Sequence, residues 1–233
     1  MTEPTANALS RVAVTGGSSG LGAAVVRAVQ KRGGTAVVLD RQKPADDGPF
    51  VEVDLSDPHA AEGALAAAEE QIGPLTGVVT AAGTDACGLI TDVSLDDWVR
   101  VISVNLIGTA AIARAAVPRL ERTHGRIVTV ASTLGLRALS DATAYCASKF
   151  GVVGFSRALA VETAGRVGVT MLVPGGMQTA FFDGRPDQYK PGPDAVLNDP
   201  ANVAETVVYA LSQPPGVEIR ELVVTPSVEP SWP

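Results

Sequence analysis

Tyr145 and Lys149, four residues apart in Tyr145-Cys146-Ala147-Ser148-Lys149, open the chemical reading of this chain. In a helix that spacing sets both side chains on one face, about one turn apart. A free phenol titrates near ~10 and moves protons poorly at neutral pH, whereas an adjacent ammonium favours the phenolate by ~1.4 kcal/mol per unit of lowering. On its own the pair is also an ordinary helix-surface pair, so its surroundings decide. Ser132 stands 13 residues before the tyrosine, where an apolar run ends, and its hydroxyl can donate to a carbonyl. Asn105, in Val104-Asn105-Leu106-Ile107-Gly108, is a polar residue among apolar ones. It reads either as a satisfied buried amide or as a link that positions a water between Lys149 and solvent.

A second constellation lies near the start, in Thr15-Gly16-Gly17-Ser18-Ser19-Gly20-Leu21-Gly22, between an apolar run and a helical pattern. Glycines let the backbone turn tightly and let phosphate oxygens approach main-chain N–H groups, while the following helix offers its positive end. The spacing Gly-x-x-x-Gly-x-Gly differs from the commonest dinucleotide fingerprint, and a ligand-free turn is the competing reading. Asp40 follows Gly22 by 18 residues, close to the ~20 at which an acidic residue meets the adenosine ribose. A 2′-phosphate there would face repulsion on the order of 4 kcal/mol at ~4 Å with an effective dielectric near 20. That comparison favours NAD over NADP. Arg41 works against it, since a guanidinium can neutralise a 2′-phosphate.

The elements that must position these groups alternate along the chain. Short β-branched runs at 11–15, 35–39, 50–53, 77–81, 125–131, 167–173 and 222–225 alternate with helical patterns at 21–32, 58–72, 95–120, 143–163 and 201–212. This order predicts βαβ units around a parallel sheet with helices on both faces, in one domain over 1–233. Asp57 before Pro58, and Ser94 three residues before Asp97, are helix-start signals, and Pro118 is expected to kink or end its helix. The stretch 175–200, broken by Gly184, Pro186, Pro191, Gly192 and Pro193, is expected to be a lid or binding loop. Residues 1–10 read as a short arm and 226–233 as an extended tail, with Trp232 a packing anchor, within the chain or against another subunit.

Of 233 residues, 46% are hydrophobic and 4% aromatic, so a globular core built on Ala, Val and Leu is expected. A net charge of −7 argues against nucleic-acid and anionic-membrane partners. Cys87, Cys146, His59 and His124 form neither a disulfide framework nor a metal-ligand spacing, so no metal is expected. The opening residues lack a basic start with an apolar block, and no apolar run approaches ~18 residues, so a cytoplasmic protein is expected.

Taken in order, Thr15 to Gly22, Asp40, Asp54-Leu55, Ala81-Ala82-Gly83, Asn105, Ser132, Tyr145/Lys149 and Pro174-Gly175 resemble the short-chain dehydrogenase/reductase superfamily over nearly the whole chain. The resemblance implies a Rossmann-like, doubly wound sheet of about seven strands in the order 3-2-1-4-5-6-7. It also implies a homo-oligomer, tetramer or dimer, joined through helices 95–120 and 143–163. By the same resemblance, Tyr145 is the general acid/base and Lys149 lowers its pKa and bonds the nicotinamide ribose. Ser132 polarises the carbonyl, and Asn105 completes a proton relay. Gly16, Ser18, Ser19, Gly20, Leu21 and Gly22 hold the pyrophosphate side. Asp40 and Arg41 face the adenosine ribose, Asp54 the adenine amine, Leu55 lends a backbone contact, and Ala81, Ala82 and Gly83 pass close by. Pro174, Gly175 and Thr179 serve the nicotinamide end. The family's usual Asn-Asn-Ala-Gly is replaced by Thr80-Ala81-Ala82-Gly83, and its Asp-Gly-Gly ending is absent, which bears on stability and on tetramer formation.

The expected pocket wall, Leu89, Leu134, Leu136, Met177, Phe181 and Phe182, is apolar. The leading expectation is an NAD(H)-dependent oxidoreductase acting on a secondary alcohol or 3-hydroxyacyl group. An NADPH-dependent 3-oxoacyl or ketoreductase of fatty-acid or polyketide-like metabolism is the alternative. A non-catalytic nucleotide sensor would have no use for Ser132, Tyr145 and Lys149 at working spacings.

Overall fold

The computed structural model describes residues 9–232; the first eight residues of the expected arm and Pro233 of the tail lie outside them. Seven parallel strands form one sheet in the order β3-β2-β1-β4-β5-β6-β7, as the resemblance implied. They are β1 (Arg11–Thr15), β2 (Thr35–Asp40), β3 (Phe50–Glu52), β4 (Gly77–Thr80), β5 (Arg126–Val130), β6 (Gly168–Pro174) and β7 (Glu221–Val224). Because side chains alternate across a strand, neighbours on β1 feed opposite cores. Ala13 joins Leu39, Val78 and Ile127 beneath α2 (Pro58–Ile72) and α4 (Gly108–Glu121). Val12 and Val14 join Val128 and Leu172 beneath α1 (Gly20–Lys31) and α6 (Pro200–Leu211). Strands covered on both faces explain the uninterrupted apolar runs.

The helix boundaries follow local chemistry. The Asp57 carboxylate accepts the N–H groups of His59 (2.9 Å) and Ala60 (3.2 Å), with Pro58 at the first helical position. Ser94 Oγ accepts the Asp97 N–H at 3.1 Å and caps α3 (Leu95–Ile102). The expected helix over 95–120 is in fact two α-helices joined by a π-turn at Ser103–Ile107. Pro118 does not end α4, which runs on to Glu121. Pro118 lacks the N–H that would bond Arg114 O, so one bond of the ladder is given up there, while Arg119 Nη1 adds a bond to Ala115 O at 2.7 Å in the same turn. By length and composition Leu95–Glu121 could cross a membrane; here α3 packs on α5 (Thr143–Glu162) and α4 on α2.

β1 lies between β2 and β4, so the direction of winding reverses there, and loops from both sides diverge at the carboxyl edge. The candidate site residues lie on, or just after, that edge or on the helices flanking it. The stretch 175–200 contains two short 3₁₀ turns, Ala180–Phe182 and Asp187–Tyr189. Its base is pinned by Asn198 N–H to Gly176 O (2.9 Å) and Gln178 N–H to Asn198 O (2.8 Å).

Candidate active site

The turn after β1 is compressed to a degree only glycine permits. Gly16 has φ +67°, and a Cβ there would lie 2.7 Å from the Ala82 backbone. A Cβ on Gly22 would overlap the Gly16 carbonyl. The turn therefore presses against both the β4 exit and its own helix. Ser19, the residue before α1, is extended and makes no side-chain cap, and no acidic residue stands in the first turn. The first N–H groups of a twelve-residue helix thus face outward with no carboxylate to compete for an anion. These are the features a pyrophosphate needs, and the residues present fit one. Across the gap, a Cβ on Gly20 would lie 3.4 Å from the Thr179 side chain.

Asp40 ends β2 beside this turn. Its carboxylate accepts the Ser18 N–H (3.1 Å) on one oxygen and the Gln42 N–H (3.1 Å) on the other. Each oxygen keeps a lone pair for a further donor. The Ser18 hydroxyl bonds Gln42 O, so Ser18 braces the glycine turn against the chain that leaves β2. Arg41 is largely exposed and turns toward Asp54, 3.9 Å away. A backbone hydrogen bond from Ser56 holds the Asp54 carboxyl below its ordinary value, opposed by burial. Leu55 is buried, and its carbonyl lies where a Cβ on Gly108 would meet it at 2.6 Å.

At the other end of the edge, Ser132 follows β5 and its Oγ accepts the Leu134 N–H at 3.1 Å, leaving the hydroxyl proton to donate elsewhere. Tyr145 and Lys149 lie on one face of α5, with Lys149 Nζ 5.7 Å from the phenol ring centre. Lys149 is 4% exposed and donates to Val130 O at 2.9 Å. Burial pushes its amine down to about 8, with Asp85 pulling it back up. Burial likewise pushes the Tyr145 phenol up to about 12, while a hydrogen bond with Ser132 draws it down. The expected lowering of Tyr145 by Lys149 is therefore not what the protein alone achieves. Desolvation of the phenol outweighs its stabilising partners.

Asn105 sits on the π-turn, a device frequent at functional sites, and is fully buried. Both N–H donors of its amide are engaged, by Thr84 O (2.9 Å) and Ser148 Oγ (3.0 Å), and Oδ1 accepts the Thr84 N–H (2.8 Å). The amide thus clamps the β4 exit to α5, and a water link would have to use its backbone carbonyl, which already accepts from Thr109 (2.8 Å). Gly83 lies against this cluster: a Cβ would come within 3.6 Å of Asn105 Oδ1 and 3.8 Å of Lys149 Nζ.

The pocket wall differs from the apolar one expected. Phe181 does meet Tyr145, ring centres 5.7 Å apart, and Phe182 packs edge-on against Phe181. Leu89, however, is exposed, while Leu136 and Met177 are packed against interior clusters. In their place stands an ion pair that sequence reasoning missed: Asp85 Oδ2 to Arg185 Nη2 at 2.7 Å, with side chains 7% and 18% exposed. Arg185 stacks over Phe181 (4.9 Å) and Phe182 (4.6 Å), so the stretch 175–200 carries its own cation onto a carboxylate after β4. The available signal was Asp85 as the one charge between Thr80 and Thr91. Cys87 also donates to Asp85 (3.2 Å), and burial pushes its thiol up to about 12, which makes it an inert thiol.

The structure thus brings Asn105, Ser132, Tyr145, Lys149 and Gly83 together, and places Asp40, Arg41 and Asp54 at the opposite end, by β2 and β3. Comparison with known proteins points the same way. The family model described as short chain dehydrogenase matches residues 10–190. The chain is 33% identical, over 93% of its length, to glycine betaine reductase of Emericella nidulans, of which it spans only 19%. It is 32% identical to an uncharacterised oxidoreductase of Staphylococcus aureus, covering 91% of this chain and 95% of that one. Its fold matches an aldohexose dehydrogenase of Thermoplasma acidophilum (TM-score 0.83, 23% identity, 94% of each chain). It also matches an alcohol dehydrogenase of Thermococcus sibiricus complexed with 5-hydroxy-NADP (TM-score 0.80, 23% identity, 92% of this chain and 95% of that one). With the family pattern matched from β1 through the tyrosine and into the lid, this chain belongs to the short-chain dehydrogenase family of oxidoreductases.

Proposed function

We propose that the protein is an NAD(H)-dependent dehydrogenase interconverting a small or medium secondary alcohol, or a 3-hydroxyacyl group, with its ketone. One observation carries this reading: Ser132, Tyr145 and Lys149 converge at one end of the carboxyl edge, while the other end offers an uncapped helix start and Asp40. A bound nicotinamide supplies or accepts the hydride. The rest is the work of this chain's residues. The Gly16–Gly22 turn and the start of α1 bind the pyrophosphate. Asp40 takes ribose hydroxyls on its remaining lone pairs and repels a 2′-phosphate, and Arg41, turned toward Asp54, does not offset that repulsion.

Ser132, its oxygen already accepting from Leu134, donates its proton to the substrate oxygen and holds it beside the phenol. Tyr145 gives its proton to that oxygen in reduction and takes it back in oxidation, a contribution of roughly 10² to 10⁴ in rate. With its pKa pushed up to about 12, the phenol rests as the acid; the positive charges of Lys149 and of the oxidised cofactor favour the phenolate in the other direction. Lys149 anchors the ribose, Asn105 keeps Gly83 and Thr84 against α5, and Thr179, next to Gly20, serves the carboxamide end.

Exposed apolar residues on and beside α3 and α5, among them Leu95, Val99, Ile107, Phe150 and Val161, support assembly as a homo-oligomer. Two free cysteines support a reducing, cytoplasmic location. The test is a fluorescence titration with NADH and NADPH, followed by a panel of secondary alcohols and 3-hydroxyacyl thioesters assayed for NADH formation. Tighter NADPH binding would replace the cofactor assignment with that of an NADPH-dependent ketoreductase. Nucleotide binding without turnover of any alcohol would point to a sensor.

A further inference from the structure

The sheet ends with β7 at Val224, yet the chain continues back across the carboxyl edge instead of leaving it. Pro226 is buried and lies against Gly175, where a Cβ would come within 3.1 Å of its ring. Glu229 then folds inward. Its Oε2 accepts the Gly176 N–H at 2.9 Å, and its Oε1 accepts both the N–H (3.0 Å) and the hydroxyl (2.7 Å) of Ser231. Ser231 Oγ is also 2.7 Å from Thr133 Oγ1. A serine hydroxyl has one proton, and here Glu229 takes it, so Thr133 is the donor and the chain of bonds runs Thr133 to Ser231 to Glu229. Pro230 O accepts from Arg137 (3.0 Å), and Trp232 packs beside Leu136 against Ala131, Val152, Val153, Met171 and Val173.

These contacts join two loops that the sheet itself does not connect at that level. One carries Ser132 and Thr133 out of β5; the other, Gly175 to Thr179, leaves β6 and leads to the lid. The fit is specific to a carboxylate on glycine: a Cβ on Gly175 would overlap Glu229 Oε2, so side chain and glycine require each other. Burial alone would raise the Glu229 carboxyl, yet bonds from Ser231 and Gly176 hold it below its ordinary value, so it is an anion where it sits.

We propose that Glu229 is a positioning residue for the nicotinamide end of the site, fixing the 175–179 loop against the loop that carries Ser132. The proposal rests on the dinucleotide-dependent reading above. It separates the two halves of the cofactor, because the adenine half is held by β1, β2 and α1, none of which Glu229 or Ser231 hydrogen-bonds.

The experiment compares NADH with ADP-ribose, which lacks the nicotinamide, as ligands of the wild type, Glu229→Ala, Glu229→Gln, Ser231→Ala and a variant ending at Thr225. Circular dichroism and thermal unfolding check that each is folded. Glu229→Ala is expected to bind NADH roughly five- to tenfold more weakly, about the net worth of one hydrogen bond, with ADP-ribose affinity unchanged within about twofold. Glu229→Gln keeps an acceptor for the Gly176 N–H but turns an amide donor toward Ser231, and recovers part of the loss. Ser231→Ala falls in the same direction by less, and the truncation matches or exceeds Glu229→Ala. Equal weakening of both ligands, or no change in either, would overturn the positioning role. Failure of the wild type to bind either ligand would overturn the functional reading, and the role of Glu229 with it.

Discussion

Replacing Lys149 with methionine is expected to make the protein more stable at neutral pH. Lys149 is 4% exposed, and its amine is held from 10.5 down to about 8, chiefly by burial. At pH 7 it is charged in both the folded and the unfolded chain, so the shift represents a folding cost of about 3 kcal/mol. Methionine fills a similar space without a charge, but it forfeits the Nζ bond to Val130 O and leaves that carbonyl unpartnered, a loss of about 1 kcal/mol. The difference leaves the variant about 2 kcal/mol more stable at pH 7. Between pH 8 and 10.5 the unfolded chain still holds a proton that the folded chain has released. Wild-type stability therefore rises with pH through that window and the gap to the variant closes. Tyr145 acts oppositely above pH 10, because its folded pKa is raised to about 12, so the comparison stops near pH 10, below the range in which the phenol titrates in the folded chain. Urea unfolding of both at pH 7 and near pH 10 measures the effect. A variant several kcal/mol less stable at pH 7, or a gap insensitive to pH across the window, would refute the reasoning.

Four further outcomes follow from particular residues. Tyr145→Phe should leave nucleotide affinity within about twofold and lower turnover at least ~10²-fold, measured on whichever alcohol proves active; retained turnover would remove the phenol from the chemistry. Asp85→Asn leaves Arg185 half of a buried pair, so the lid should open more readily, and protease cleavage within residues 183–193 should rise roughly tenfold, the equivalent of ~1.4 kcal/mol in local opening. An unchanged cleavage rate would show that the stacking of Arg185 on Phe181 and Phe182 holds the lid alone. Gly22→Ala drives a methyl into the Gly16 carbonyl and should cost about 1–3 kcal/mol along with most nucleotide binding. Gly63→Ala, in open space on α2, should stabilise by up to ~1 kcal/mol, as thermal unfolding of the pair would show.

What the sequence disclosed and what it withheld differ by range of interaction. Strand runs such as 77–81 and the caps at Asp57 and Ser94 were legible because they depend on side-chain period and on atoms two or three residues away. The glycine turn, Asp40 and the Tyr145/Lys149 pair were legible for the same reason, each being a short local pattern placed by its strand or helix. The π-turn at Ser103–Ile107 was not, since nothing in Ser-Val-Asn-Leu-Ile breaks a helical period. Its stability comes from tertiary partners, with Asn105 bound to Thr84 and Ser148 and Gly108 pressed against the Leu55 carbonyl. The Asp85–Arg185 pair, 100 residues apart in sequence, and the Glu229–Gly176 bond, 53 apart, are likewise invisible to any local pattern. The sign of the Tyr145 shift was misjudged because spacing reports which charge is near but not how much water is absent. Burial of the phenol is the largest influence on it, ahead of the hydrogen bond with Ser132 that draws it down. The local components of the candidate site are thus tied together by contacts of long sequence range, Asp85 to Arg185 and Glu229 to Gly176.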